Sequence, residues 1–366
     1  MKKRLLALLL AGAMCFSLAA CGNDTGDTTS KAPEDTSSNP PESGNGDDAE
    51  LTINDVWPSG TTVYIDVPAK AGGGTDLYTR YLTQALGEVC PGVNFVVTNY
   101  DTTEVGRENA KNADPDGTHF LVHHGGAQIE YMAGTSNVSP KDDYKTVALV
   151  NVGGPQVIIA KPDAPFKNLS ELGEYIEAHP GELVVGCTLG GASQVMLRGV
   201  IEGIKPGLSD QVNWVQCGSE ADKLTQTASG SIDMANCSVP NGIAYEADGK
   251  LTILGTMAPS IANLENMSEL MGEPLPESFK TAAEQGISYN YDSNYYLWAP
   301  KDLPDDIAKV INETVNKCVD VQSFIDGNKQ MVTYIDKRDY EETQAAFDKE
   351  WVTNEEAVKG MGIYAR

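Results

Sequence analysis

The chain has 366 residues, with 52 acidic and 26 basic side chains and 41% hydrophobic residues, and this length allows two or three domains of about 100–200 residues each. Its net charge of −26, without any basic stripe, excludes nucleic acid as a partner, because phosphate binding depends on clustered Lys and Arg. Aromatic and charged fractions of 7% and 21% are ordinary for a folded protein and exclude a wholly disordered chain.

Residues 1–20 have the pattern of a secretory signal peptide. A basic start at Lys2–Arg4 precedes an apolar run at Leu5–Ala13, which is shorter than the ~20 residues needed to cross a bilayer. The signal ends in Leu18-Ala19-Ala20-Cys21, which resembles the lipobox of bacterial lipoproteins. That resemblance implies that Cys21 is lipidated and anchors the mature protein to a membrane. The alternative is an ordinary signal followed by a chance cysteine.

Residues 21–50 are expected to form a disordered acidic linker after the lipidated cysteine. From Gly22 to Glu50 there is no aromatic and no branched aliphatic residue, so this segment cannot bury enough apolar surface to offset the entropy of ordering it. A lipid anchor and this linker would place the folded part outside the cytoplasmic membrane, on its outer face if the organism is Gram-positive.

Residues 51–366 alternate between strand-like and helix-like segments. Strands are predicted at Val63–Val67, Asn94–Thr98, Thr118–Val122, Thr146–Val152, Val157–Ala160, Leu183–Gly186, Val212–Gln216, Ile232–Ala235 and Leu251–Thr256. Helices are predicted at Thr75–Val89, Glu104–Ala113, Leu169–Ala178, Ser193–Gly203, Ala221–Ser229, Asp305–Cys318 and Tyr340–Val352. Such alternation is typical of parallel sheets covered by helices, so the predicted fold class is α/β.

Two series of strands and helices, neither a sequence repeat of the other, indicate two lobes. The first lobe is expected to comprise residues 51–156 and to be completed by residues 288–366, and the second lobe to comprise residues 157–287. The chain is expected to cross between the lobes near Val152–Ala160 and to return near Ser288–Leu297.

A glycine-rich loop follows the first predicted strand of each lobe. The first loop contains Gly72–Gly74 and continues into Thr75 and Asp76, either of which can cap the next helix. It is not a Rossmann fingerprint, because Leu77 occupies the third-glycine position, and it lacks the Gly-Lys-Ser/Thr of a phosphate loop. Taken alone, the loop is equally compatible with plain turn geometry.

The second loop, Gly186–Gln194, has the same order of strand, glycines and helix. Ligands of open parallel sheets bind beyond the carboxyl ends of the strands, and helix N-termini favour anions. Two such helix N-termini facing each other across a cleft would suit a small molecule that carries a carboxylate.

An ordered set of motifs resembles the substrate-binding proteins of tripartite tricarboxylate transporters, the Bug or TctC-like family. The set runs in order from about Thr61 to Trp351. It consists of Val67-Pro68 with Gly72–Asp76 and Arg80, Ala113–Thr118, Val157–Pro162, Leu169–Leu172, His179–Leu183, Gly230–Met234, Gly249–Leu251, Trp298–Pro300 and Leu303-Pro304.

The resemblance implies a two-lobe periplasmic-binding-protein fold, type II-like, that closes about a hinge like a Venus flytrap. It implies that backbone amides of the two loops and ordered water capture a di- or tricarboxylate, which is then delivered to the membrane subunits of a tripartite tricarboxylate-type transporter. The chain departs from the family pattern at Ala69 and Lys70, at Tyr100–Gly106 and at His123–Gly126. The identity of the ligand therefore stays open, with amino acids and aromatic acids as other candidates.

The anion is expected to lie between the Gly72–Asp76 loop and the Gly190–Gln194 loop. Lys70 either neutralises a second carboxylate or is a solvated loop lysine. Successive strand residues point to opposite faces, so at most one of His123 and His124 should face the ligand. The ligand-binding residues are expected to be Lys70, Gly72, Gly73, Gly74, Thr75, Asp76, His124, Gly125, Gly190, Gly191, Ala192, Ser193, Gln194 and Asn236.

Cys187, Cys217 and Cys237 each end a predicted strand of the second lobe, which would place them at one edge of the cleft. They are structural thiols, a disulfide, or a metal or reactive site, since soft ligands suit copper(I) or zinc. The alternative function is therefore a metal-binding lipoprotein, or a sensory one that presents its ligand to a membrane kinase. Cys90 and Cys318 are expected to be buried thiols of the first lobe.

The sequence lacks the motifs of the common hydrolases. It contains neither a Gly-x-Ser-x-Gly elbow nor a His-Glu-x-x-His helix. The protein is therefore expected not to be an enzyme, and no catalytic residue, metal ligand or cofactor is assigned.

Overall fold

The computed structural model describes residues 51–153, 156–257, 274–276, 279–287, 293–331 and 335–366, with single positions at 268, 272 and 333. The predicted signal peptide, Cys21 and the linker lie outside the described residues, as do residues 288–292 of the predicted return. The described residues belong to one compact unit.

The first sheet has the order β2-β1-β3-β10-β4. Strand β1 pairs in parallel with β2 and β3, whereas β10 is antiparallel to both β3 and β4. The strands are β1 (Thr62–Val67), β2 (Asn94–Asn99), β3 (His119–His124), β4 (Tyr144–Gly153) and β10 (Ser293–Pro300). The chain therefore completes this sheet only after it has built the second one.

The second sheet repeats this topology in the order β7-β6-β8-β5-β9. Strand β6 is parallel to β7 and β8, and β5 is antiparallel to β8 and β9. The strands are β5 (Gln156–Ala160), β6 (Val184–Cys187), β7 (Asn213–Gln216), β8 (Met234–Ser238) and β9 (Thr252–Thr256). The predicted α/β class with parallel-rich sheets in two lobes is confirmed, with one antiparallel strand inserted in each sheet.

The helices cover the sheets and connect their strands. They are α1 (Ile53–Val56), α2 (Gly74–Val89), α3 (Thr103–Lys111), α4 (Gly126–Met132), α5 (Leu169–Ala178), α6 (Ala192–Ile204), α7 (Glu220–Ala228), α8 (Val239–Ala247), α9 (Asp305–Cys318), α10 (Gln322–Gln330) and α11 (Tyr340–Gly360). Of these, the sequence analysis missed α1, α4, α8 and α10. Helix α8 contains Pro240 in its first turn, where the missing N–H has no helical partner to lose.

Each lobe has its own apolar core. Leu82 of α2 and Ile311 of α9 pack with Phe120 and Val147 of the first sheet, and Leu172 and Leu197 pack against the second sheet. None of the helices in the described part of the chain is long and apolar enough to cross a membrane.

The last helix, α11, contacts both lobes. Its Phe347 packs edge-on against Tyr296 of β10, with ring centroids 5.6 Å apart. Eleven residues later, the fully buried Val358 lies in the core of the second lobe, together with Ile129 and Met132 of α4. Helices α4 and α11 therefore link the lobes in addition to the crossing strands.

Candidate functional site

The cleft between the lobes holds two adjoining cavities of about 540 and 230 Å³. Gln156, the first residue of β5, and Tyr295 of β10 border both. The larger cavity is lined by Gly72–Gly74, Leu77, Tyr78, Gln156, Ser219–Ala221, Ser238–Asn241, Tyr295, Gln330 and Met331. The smaller is lined by His124, Glu130, Gln156, Thr188, Ala192, Ser193, Met196, Lys223, Asn236 and Tyr295.

The first glycine-rich loop borders the larger cavity at the start of α2. Gly72 has a φ of 81°, and its N–H donates to Asp76 Oδ2 at 2.8 Å. The buried Asp76 also accepts from Arg80 Nε at 3.0 Å. Asp76 thus holds the loop in place, and Gly72–Gly74 line the cavity at the start of α2. The N–H of Gly73 is used within the loop, where it donates to Lys70 O at 3.2 Å.

The second loop is held in the same way, by side chains of the helix that follows it. Gly190 has a φ of 71° and donates its N–H to Gln194 Oε1 at 2.8 Å, while Thr188 N–H donates to Ser193 Oγ at 2.8 Å. The hydroxyl proton of Ser193 is left to point toward another acceptor. Gly191 borders a third cavity, of about 280 Å³, next to Thr188.

The expected position of the anion is only partly matched. The two loops lie at two adjoining cavities and do not face each other across one. The larger cavity brings the first loop opposite the starts of α7 and α8, whereas Ala192 and Ser193 of the second loop lie opposite His124.

Three other predicted residues lie away from the cavity walls. Lys70 is exposed and does not border either cavity. Gly125 is packed so tightly that a Cβ there would lie 1.7 Å from Glu350 Oε1. Thr75 is buried behind the first loop, where its hydroxyl hydrogen-bonds Tyr295. Thr75 and Gly125 are thus packed behind the lining of the cleft, and Lys70 is not part of that lining.

Lys223 of α7 is the functional candidate that sequence reasoning missed. The residue is 7% exposed, and its Nζ donates to Asn236 Oδ1 at 2.9 Å. Asn236 in turn donates from Nδ2 to Gln156 Oε1 at 3.0 Å. Burial lowers the pKa of Lys223, and the charge of Glu220 opposes that shift. Among the described residues, no carboxylate lies within ion-pair distance of Lys223.

The two histidines at the end of β3 have different roles. His124 borders the smaller cavity, and its Nδ1 accepts from Gly126 N–H at 3.0 Å. Burial lowers the pKa of His124 to about 4, so the ring is neutral near pH 7 and carries its proton on Nε2. His123 is buried behind it, 2.8 Å from Arg107 Nη2. His124 therefore lines the smaller cavity, whereas His123 does not.

Two tyrosines and one acid are among the residues that line the larger cavity. The rings of Tyr78 and Tyr295 lie edge to face, 4.5 Å apart, and burial raises the pKa of Tyr295 to about 12, with a contribution from the charge of Glu220. Glu220 lies on the opposite lobe, at the start of α7. Its Oε1 accepts from Ser238 Oγ and from Asn241 Nδ2, both at 2.6 Å.

The cysteines do not form the expected edge of the cleft. Cys187, Cys217 and Cys237 are free, fully buried thiols within apolar clusters, and burial raises their pKa values. Cys90 and Cys318 are buried free thiols, as predicted. Within the part of the chain that the structure describes, no three or more His, Cys, Asp or Glu side chains are arranged to hold a metal ion.

Comparison with known proteins gives consistent matches. The family model described as "Tripartite tricarboxylate transporter family receptor" matches residues 99–346. A UPF0065 protein from Agrobacterium vitis is 24% identical over 265 residues, which are 71% of this chain and 72% of the relative. A UPF0065 protein from Bordetella pertussis is 24% identical over 279 residues, or 74% and 80% of the two chains.

Solved structures share the fold. MatC from Rhodopseudomonas palustris, solved with bound malate, has a TM-score of 0.67 and 21% identity, covering 81% of this chain and 99% of that one. A second R. palustris protein, solved with adipate, has a TM-score of 0.68 and 21% identity, covering 84% and 99%. The periplasmic binding protein BugD has a TM-score of 0.67 and 21% identity, with the same coverage of 84% and 99%.

Proposed function

Because the chain belongs to the tripartite tricarboxylate transporter receptor family, we propose that it is an extracytoplasmic solute receptor that captures a small carboxylate in the interlobe cleft. It delivers the carboxylate to membrane subunits of a tripartite tricarboxylate-type transporter. Lipidation of Cys21 and the linker at residues 22–50 hold the receptor at the membrane surface.

The observation that carries this proposal is the buried Lys223 at the smaller cavity. A buried ammonium group without an opposite charge is unfavourable by several kcal/mol. Its contact with Asn236 is neutral and uses one of three donors. A ligand carboxylate at the cavity would supply the missing charge and accept the remaining donors.

Neutral donors surround the same cavity. Ser193 keeps a hydroxyl proton, the neutral His124 has its Nε2 proton, and α6 begins at Ala192, where helix N–H groups favour anions. The bound malate and adipate of the two R. palustris proteins support a carboxylate as the class of ligand.

The test is titration calorimetry of the full chain with succinate, malate, adipate and citrate. We expect at least one of them to bind, and Lys223→Met to weaken that binding by at least about tenfold, ~1.4 kcal/mol. Lys70→Met is the matched control, because it removes the same charge from an exposed residue outside the cavities. Unchanged affinity in Lys223→Met, or an equal loss in Lys70→Met, would place the site elsewhere.

A further inference from the structure

The larger cavity carries an acid and no base. Glu220 is the charged side chain of its described lining, which contains no Lys, Arg or His. The carboxylate of Glu220 accepts from Ser238 and Asn241 at the start of α8, so it already occupies the positive end of that helix. A second ligand carboxylate placed beside α8 would meet this negative charge without a cation to balance it.

In the smaller cavity, the acid has an ion-pair partner and the lysine has none among the described residues. Its acid, Glu130, is paired with Arg107 Nη2 at 2.6 Å, and its His124 is neutral. Lys223 therefore has no carboxylate within ion-pair distance among the described side chains, and the charge of Glu220 acts on it only from farther away. Lys223 and Glu220 lie one turn apart on α7, at a spacing that often pairs opposite charges. Here the two side chains turn into separate cavities, each toward neutral partners.

The wall opposite Glu220 suits a cation. Tyr78 and Tyr295 line it with two aromatic rings, and aromatic rings attract ammonium groups. Their hydroxyl oxygens can also accept hydrogen bonds. Gln156 and Tyr295 border both cavities, so the side chains between the two cavities are neutral.

Resting on the proposed carboxylate function, we propose that the ligand is a small amino carboxylate. Its carboxylate lies at Lys223 in the smaller cavity, and its ammonium group lies between Glu220 and the tyrosine pair Tyr78 and Tyr295 in the larger one. The cleft is thus built for a ligand of both charges, and a plain dicarboxylate satisfies only the lysine.

The test uses matched ligands that differ only by an ammonium group: aspartate against succinate, glutamate against glutarate, and 4-aminobutanoate against butanoate. In calorimetry with the full chain, we expect the amino member of at least one pair to bind at least about tenfold more tightly. Glu220→Gln, which keeps an amide oxygen for Ser238 and Asn241, should reduce that preference to below about threefold. It should leave the affinity for the amine-free member unchanged or higher.

Asp222→Asn is the matched control. It removes the same charge from the same turn of α7, at an exposed position outside the cavity lining, and should keep the preference. Equal or tighter binding of the amine-free members by the unmodified chain would overturn this inference, and so would a preference that survives Glu220→Gln. In either case, the carboxylate function still stands if the unmodified chain binds succinate and Lys223→Met loses that binding. If no member of any pair binds, this inference fails, and the carboxylate function fails with it only if malate, adipate and citrate do not bind either.

Discussion

Asn236 Oδ1 accepts a hydrogen bond from Lys223 Nζ at 2.9 Å, and this contact joins a predicted site residue to one that the sequence did not reveal. Both side chains are buried, yet the partner that Asn236 offers the ammonium group is neutral. The amide therefore fixes the direction of the lysine and leaves its charge available to a ligand.

The substitution Asn236→Asp should prevent the charge of Lys223 from binding a ligand carboxylate. A carboxylate at residue 236 would pair with Lys223 internally, so we expect succinate or aspartate affinity to fall by more than about tenfold. The melting temperature of the free protein should stay the same or rise. Calorimetry and thermal unfolding measure the two effects. Asn94→Asp, on an exposed position of β2, controls for the added charge, and intact affinity in Asn236→Asp would argue against the assigned role of Lys223.

Gly74→Ala should reduce binding without harming the fold. A Cβ at Gly74 would lie 3.7 Å from Tyr78 Cε2 and 3.8 Å from the Tyr295 hydroxyl, which are ordinary contacts on the cavity wall. We expect about tenfold weaker binding, because the methyl group occupies space on the cavity wall at the start of α2. Thermal stability should hold or improve, since Ala favours a helix by roughly 0.5–1 kcal/mol over Gly.

Gly87→Ala is the control within the same helix. A Cβ there meets no atom within 4 Å, so stability should change as in Gly74→Ala while binding stays constant. Equal affinities for the two variants would show that the ligand does not approach the start of α2.

Stability should fall on the acid side of neutrality. The pKa of His124 is lowered by burial from 6.5 to about 4, so between these pH values the unfolded chain binds a proton that the native state does not. The free energy of unfolding should therefore drop by up to about 3 kcal/mol from this residue as the pH falls from 6.5 to 4. Urea unfolding across that range should show a shallower decline in His124→Gln, and parallel curves for the two proteins would contradict the assigned shift.

Cys21→Ser should release the protein from the membrane. The prediction rests on the sequence Leu18-Ala19-Ala20-Cys21, since only a thiol at residue 21 can receive the lipid. In cell fractionation, the variant should be shed into the medium or retained as an unprocessed precursor. If it stays in the membrane fraction with unchanged gel mobility, the anchor lies elsewhere.

The sequence predicted the glycine-rich loops because their chemistry is local. Positive φ angles at Gly72 and Gly190, and helices that start directly after them, follow from residue types within a few positions. Which strand ends meet across the cleft depends instead on how the two sheets are oriented. No local pattern encodes that orientation, and so the loops were assigned to one cavity when they border two.

Lys223 was missed for a related reason. A lysine in a helix with other polar residues predicts a solvated position, and its neighbours Leu224 and Thr227 already account for a buried face. Only the folded structure shows that Lys223 is buried, because there β8 places Asn236 beside it. The two residues are 13 positions apart in the sequence. Glu220 and Tyr295 likewise acquire their roles through the pairing of distant elements.

The most direct test of the account is a crystal structure of the full chain grown with whichever of succinate, malate, citrate, adipate and aspartate binds most tightly. The account predicts a ligand carboxylate oxygen within about 2.7–3.2 Å of Lys223 Nζ, in the cavity bordered by His124 and Ser193. A ligand bound away from this cavity, with Lys223 still contacting Asn236 alone, would contradict it.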